Sequence, residues 1–134
     1  MSDKIVLTSK HLPPPMGVWS HAVKVPEGRT LIFPSGFTSR DAKGNVVAPN
    51  DSAGQMRQIC ENLKAFVEEM GATLADVVKV TVYTTHIEDF AKIHAVRREF
   101  FPKDPPASTM IQVSRMVDPT HRLELEAVVL APKS

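Results

Sequence analysis

The sequence predicts an α+β sandwich in which two helices cover one face of a mixed β-sheet, in the order β-β-β-α-β-α-β-β. Three observations carry that expectation. Two stretches repeat apolar residues every three or four positions, which is the helical period. Several short stretches alternate apolar with polar residues or are rich in β-branched ones, which is the strand signature. No repeat, low-complexity segment or linker divides the chain, so its 134 residues read as one domain over 1–134, long enough for a sizeable core.

Taken in order, Lys4–Thr8 reads as a short edge strand. The three consecutive prolines of HLPPPMGVWS remove three backbone donors and make a loop. His21–Val25 and Leu31–Phe37 read as a hairpin closed by PEGR. Pro34 inside the second of these predicts an edge or a bulge, and Ser35-Gly36 a close backbone approach. Thr38–Pro49 is a polar loop turning at Lys43-Gly44-Asn45. Asp51–Met70 is the clearest helix, with Ser52 and Gln55 spaced as a capping box and Gly71 placed to end it. Its stripe is Met56, Ile59, Cys60, Leu63, Phe66, Val67 and Met70. Val77–Thr85 is a β-branched strand. Glu88–Phe101 is the second helix, with Phe90, Ile93, Val96, Phe100 and Phe101 on its apolar side and Pro102 stopping it.

The last two strands carry the most information. In Pro105–Arg115, residues Ser108, Met110, Gln112 and Ser114 share one face, and Thr109, Ile111 and Val113 the other. In Leu123–Leu130, Glu124, Glu126, Val128 and Leu130 share a face opposite Leu123, Leu125, Ala127 and Val129. Two glutamates continued by apolar residues describe a face that is half covered. The chain has no further element to cover it, and an exposed sheet face of that size marks an interface.

Composition bounds the function. A formal net charge of +1 gives no electrostatic case for nucleic acid or a membrane surface, and no apolar run reaches the length of a membrane span. The single cysteine, Cys60, lies on a helix core stripe, which favours inert packing and a reducing, cytoplasmic setting. The charged N-terminal residues do not resemble a signal peptide. The histidines at 11, 21, 86, 94 and 121 have no ligand-like spacing, and there is no glycine-rich phosphate loop, so neither metal nor cofactor is expected.

The order of elements, together with GATLADVVKVTVYTTHIEDF, the helix ending EFF, PASTMIQV and LELEAVV, resembles the Rid/YjgF family of reactive-intermediate deaminases. The resemblance runs from about His11 to the end. It implies a chorismate-mutase-like fold and a homotrimer with sites in clefts between subunits. It also implies hydrolysis of imines and enamines such as 2-aminoacrylate, with a small carboxylated molecule as substrate. Some relatives carry an endoribonuclease (L-PSP) label, but the neutral charge and lack of a basic stripe argue against RNA.

Several family positions differ in this chain. The arginine that follows Pro-Ala in active members, and holds the substrate carboxylate, is Ser108 here. The position often held by cysteine is Met110, the loop tyrosine is Trp19, and an asparagine of the second helix is His94. The last-strand glutamate falls on Glu124, implied to handle the attacking water; a solvated strand acid or an inter-subunit ion pair is the plainer alternative. A serine cannot replace a planar, charged, two-pronged clamp, so 2-aminoacrylate chemistry does not carry over with the match. His21 after the aromatic position, and Ser35-Gly36-Phe37-Thr38-Ser39-Arg40, resemble the 2-aminomuconate deaminase branch, which acts on ring-cleavage enamines. The candidate catalytic residue is thus Glu124, and the candidate binding residues are Trp19, His21, Gly36, Arg40, His94, Ser108 and Met110. Arg40 is one candidate substitute for the missing arginine, and Arg115 another whose strand parity turns it away. The rival reading is a non-catalytic ligand-binding or regulatory trimer, favoured by Ser108.

Overall fold

A computed structural model describes residues 2–134. The strands are β1 (Ile5–Leu7), β2 (Ala22–Lys24), β3 (Leu31–Ile32), β4 (Val77–Thr84), β5 (Ala107–Gln112) and β6 (Leu123–Leu130). The helices are α1 (Ser52–Glu69) and α2 (Phe90–Phe100). The main sheet runs β3-β6-β4-β5, with β4 and β5 parallel and β6 antiparallel to both of its neighbours. A parallel pair needs a crossover, and α2 supplies it between β4 and β5. α1 does the same between β3 and β4, which flank β6, and the two helices pack on each other. The expected α+β order and two-helix layer are both present.

One pairing differs from the sequence expectation. β2 and β3 do not form a hairpin. β2 pairs antiparallel with β1, while β3 pairs with the end of β6, Leu31 opposite Leu130 and Ile32 opposite Val129. The PEGR segment does turn, at Gly28 with φ +77°, but Arg29 then anchors the chain to β6 by donating to the Ala131 carbonyl at 2.7 Å. The apolar Leu31–Ile32 step gains more by extending the buried sheet than by pairing with half-exposed β2. Pro34 acts as expected: β3 stops at Ile32 and pairing with β6 resumes only at Phe37, opposite Leu125. Ser20 makes a single parallel bridge to Ala107, so the β1-β2 pair touches the main sheet at one rung, beside β5.

The α1 stripe is core: Met56, Ile59, Cys60, Leu63 and Val67 are buried against Leu123, Leu125, Ala127 and Val129 of β6 and Val80 and Val82 of β4. Gly71, at φ +86°, ends the helix in the left-handed conformation. The capping box does not form. Asp51 is the N-cap and accepts from the Gly54 amide, while Ser52 donates to Asp89. Gln55 is drawn away into the interior. Its amide donates to the carbonyls of Ala48, at 3.0 Å, and Thr120, at 2.8 Å, and accepts from the Arg122 amide at 2.7 Å. One buried side chain thus joins the loop before α1, the helix itself and the loop entering β6.

Removing that side chain strands the Arg122 amide N–H and takes one of two donors from each of the Ala48 and Thr120 carbonyls, which also accept from the Asp51 and Asn50 amides. Gln55→Ala is expected to destabilise the fold by roughly 1–3 kcal/mol, read as a fall in the urea midpoint at unchanged m-value. An unshifted midpoint contradicts the account.

Candidate active site

Strand alternation divides the sequence-nominated residues into two groups. β5 turns Ser108 and Met110 to the helix side, beside Val80 and Val82 of β4. β6 turns Glu124 to the opposite side, beside Tyr83.

On the helix side, Trp19, Phe90, His94, Arg97, Ser108 and Met110 line a cleft of about 210 Å³. Phe90, His94 and Arg97 recur at four- and three-residue spacing, so α2 presents all three on one face. The loop before β2 delivers Trp19, held where the Ser20 amide donates to the Pro106 carbonyl at 3.1 Å and its hydroxyl to Pro105 at 2.6 Å. Gly17 lets the loop lie flat, since a Cβ there would collide with both the Trp19 and His94 rings. The Phe90 and His94 rings stack at 4.0 Å, and Trp19 meets His94 edge-on at 6.1 Å.

Two buried polar side chains face this cleft without full partners. Neither ring nitrogen of His94 makes a hydrogen bond among the described residues, although the ring is only 4% exposed. Burial, reinforced by the Arg97 and Arg98 charges, pulls its pKa down to about 4, so the imidazole is neutral at physiological pH. Arg97 is 1% exposed. Its Nη2 donates to the Val18 carbonyl at 3.1 Å and to Ser108 Oγ at 2.9 Å, and its enclosed Nε has no partner. No carboxylate among the described residues pairs with it. Burial lowers its pKa to about 10, which leaves it charged. Cys60 is no counter-ion: burial pushes that thiol up to about 12.

The cation at the cleft is Arg97, and neither Arg40 nor Arg115, the two candidates offered by the sequence, takes its place. Arg40 is exposed and held by the Gly44 carbonyl at 2.7 Å and Asp118 at 3.4 Å, outside the cleft; Arg115 is exposed. The signal that finds Arg97 is its spacing from Phe90 and His94. His21 also stands apart from the cleft. Its Nδ1 accepts from the Ser9 amide at 3.0 Å, so the proton is on Nε2, which donates to the Pro13 carbonyl at 2.7 Å. It braces the triproline loop.

On the other side, the Glu124 carboxylate rests on Gly36, where a Cβ would collide with Oε2. This is the close approach expected at Ser35-Gly36. Glu126 is engaged by the Tyr83 hydroxyl at 2.6 Å, whereas Glu124 has no such partner among the described residues. A larger cavity of about 620 Å³ lies away from both groups, between β1 and the end of α2, and no nominated residue lines it. The smaller cleft is the better candidate because buried, under-satisfied polar groups converge there.

Residues 9–131 match the family model described as Endoribonuclease L-PSP. The chain is 38% identical over 128 residues to a RutC family protein of Pyrococcus abyssi, covering 96% of this chain and 97% of the relative. It is 32% identical over 130 residues to a protein of Dermatophagoides farinae named 2-iminobutanoate/2-iminopropanoate deaminase, covering 97% and 98%. Among solved structures, a Yersinia pestis protein of unknown function of the Rid family, YyfB, superposes with a TM-score of 0.88 at 28% identity, covering 96% and 99%. The Escherichia coli YjgF gene product gives a TM-score of 0.68 at 30% identity, covering 94% and 98%. With a matching family model, full-length relatives and a shared fold, the chain belongs to the Rid/YjgF family.

Proposed function

We propose that this protein hydrolyses a reactive carboxylated enamine or imine to the keto or enol acid and ammonia, in a cleft completed between copies of a homotrimer. The observation that carries this reading is the placement of Glu124, a carboxylate seated on Gly36 and without a hydrogen-bond partner among the described residues. It lies on the opposite sheet face from the ring-lined cleft, so one protomer cannot close both around a small molecule. A neighbouring copy supplies the missing half. The half-exposed face around Thr81, Tyr83, Glu124 and Ile111 supports such a contact, as does the name of the mite relative for the reaction class.

The chemistry needs few groups. The enamine tautomerises to its imine, which takes a proton from solvent to become the iminium. Glu124 takes a proton from water as the oxygen adds to the iminium carbon. The same carboxyl returns that proton to nitrogen, and the carbinolamine collapses to a carbonyl as the C–N bond breaks, ammonia leaving with the bonding pair and the hydroxyl proton passing to the Glu124 carboxylate. Three rings around the cleft favour a planar conjugated substrate, such as a 2-aminomuconate-type ring-cleavage product. Ser108 in place of the family arginine favours the alternative, a trimer that binds such molecules without turning them over.

Three outcomes test this reading. Sedimentation equilibrium at micromolar concentration is expected to give a trimer; a stable monomer removes the shared cleft. On an enamine that the wild type accelerates, Glu124→Gln is expected to lower kcat by roughly 100- to 10,000-fold, with Glu126→Gln near wild type. Equal losses in the two variants refute the assignment. The third outcome concerns His94, which is neutral when folded. Between its ordinary pKa and about 4 the unfolded chain binds more protons at this group. Its contribution to stability is therefore complete above pH about 6.5 and lost as pH falls toward 4. His94→Asn should flatten the loss of Tm across that window, and an unchanged slope argues against a buried neutral imidazole.

A further inference from the structure

We propose that Arg97 is the carboxylate anchor of the Trp19–Phe90–His94 cleft, and that the cleft takes a small planar carboxylate with its anion on the guanidinium and its flat body against the rings. Binding of this kind does not require turnover; only the fate of the bound molecule rests on the deaminase reading.

Burying a guanidinium with no counter-ion is unfavourable, because the charge loses its hydration without gaining an opposite charge. Here the cost is visible. Arg97 is 1% exposed, and among the described residues only two of a guanidinium's five N–H donors are engaged, by Val18 and Ser108, both on Nη2 and both on neutral acceptors. An incoming carboxylate supplies the charge that the fold withholds, and it fits the planar fork two-pronged. Ser108 explains why the cation stands on a helix. A serine at this position leaves space on β5 that the Arg97 side chain enters from α2, its Nη2 lying 2.9 Å from Ser108 Oγ. The positive charge is thus delivered to the serine's own position from another element.

The remaining walls set the shape of the ligand. Phe90 and His94 are stacked 4.0 Å apart and Trp19 stands edge-on to the same imidazole, so the cleft offers aromatic surface beside the cation. A volume of about 210 Å³ within one protomer equals that of roughly seven liquid waters, enough for a ring or a short conjugated acid. The unpartnered His94 nitrogens add one donor and one acceptor for a second polar group on the ligand.

Benzoate and its neutral isostere benzamide separate charge from shape, and the chain's only tryptophan, Trp19, reports occupancy by its fluorescence. Benzoate is expected to bind saturably and benzamide roughly 10- to 100-fold more weakly, the ratio that a charge-assisted pair supplies. Arg97→Met is expected to erase that preference. Because Arg97 is enclosed, Ser108→Asp provides a second test that keeps the guanidinium: an internal carboxylate beside Nη2 should raise Tm and abolish benzoate binding. Equal affinity for the two probes, binding of neither, or benzoate binding that survives Ser108→Asp overturns the proposal. Benzoate binding through Arg97 with no turnover of any imine overturns the deaminase reading alone. Imine turnover at unchanged KM in Ser108→Asp overturns the anchor alone.

Discussion

The strict alternation along β6 is the constraint on which the rest of this structure depends. Leu123, Leu125, Ala127 and Val129 sink into the helix layer and hold α1 in place, and they are all at most 5% exposed. Their neighbours Glu124, Glu126 and Val128 are thereby committed to the far side. Because β6 lies between β3 and β4, the sheet inherits that division: a dry side under the helices and an opposite side on which Glu126 is exposed and Glu124 and Val128 are half-exposed. A one-residue slip would bury two glutamates and expose the core, so the register is held by the largest energies in the molecule. The separation of Glu124 from Ser108 is a by-product of core formation, and it makes a shared site between copies the simplest arrangement.

Much of this was legible in the sequence because periodicity reports burial directly. The α1 stripe, the β-branched β4, the two-faced β5 and β6, the Pro34 interruption and the Gly36 approach all arise from local patterns. The hairpin of β2 and β3 was not legible in the same way. Its turn residues do turn, but the partner of Leu31–Ile32 is chosen by the hydrophobic end of β6, about a hundred residues away in sequence and silent in any local window. Ser52 and Gln55 fail for a related reason. The spacing fits a capping box, yet the two loop carbonyls and the Arg122 amide compete for the glutamine and win: together they engage both ends of its amide, and the Arg122 N–H would otherwise lack a partner.

The site shows the same limit in sharper form. Trp19, His94, Ser108 and Met110 were nominated by position and do meet. Arg97 was hidden inside HAVRREFF, where an arginine pair near a helix end reads as a solvated, dipole-complementing feature. Arg98 is an exposed residue of that kind; Arg97, one position earlier, points inward. A single helical step of about 100° separates a surface charge from the most enclosed cation in the protein, and only the packing of α2 on β5 decides which is which.

Gly36 and Glu124 have a consequence for how such a protein can change over time. The carboxylate occupies the volume that any side chain at position 36 would need. The two positions are therefore coupled. A side chain at 36 would meet the free end of the glutamate first and would have to swing the carboxylate out of its seat. The acid would be kept but re-aimed, so bulk at position 36 acts on where Glu124 points and leaves its chemistry otherwise intact.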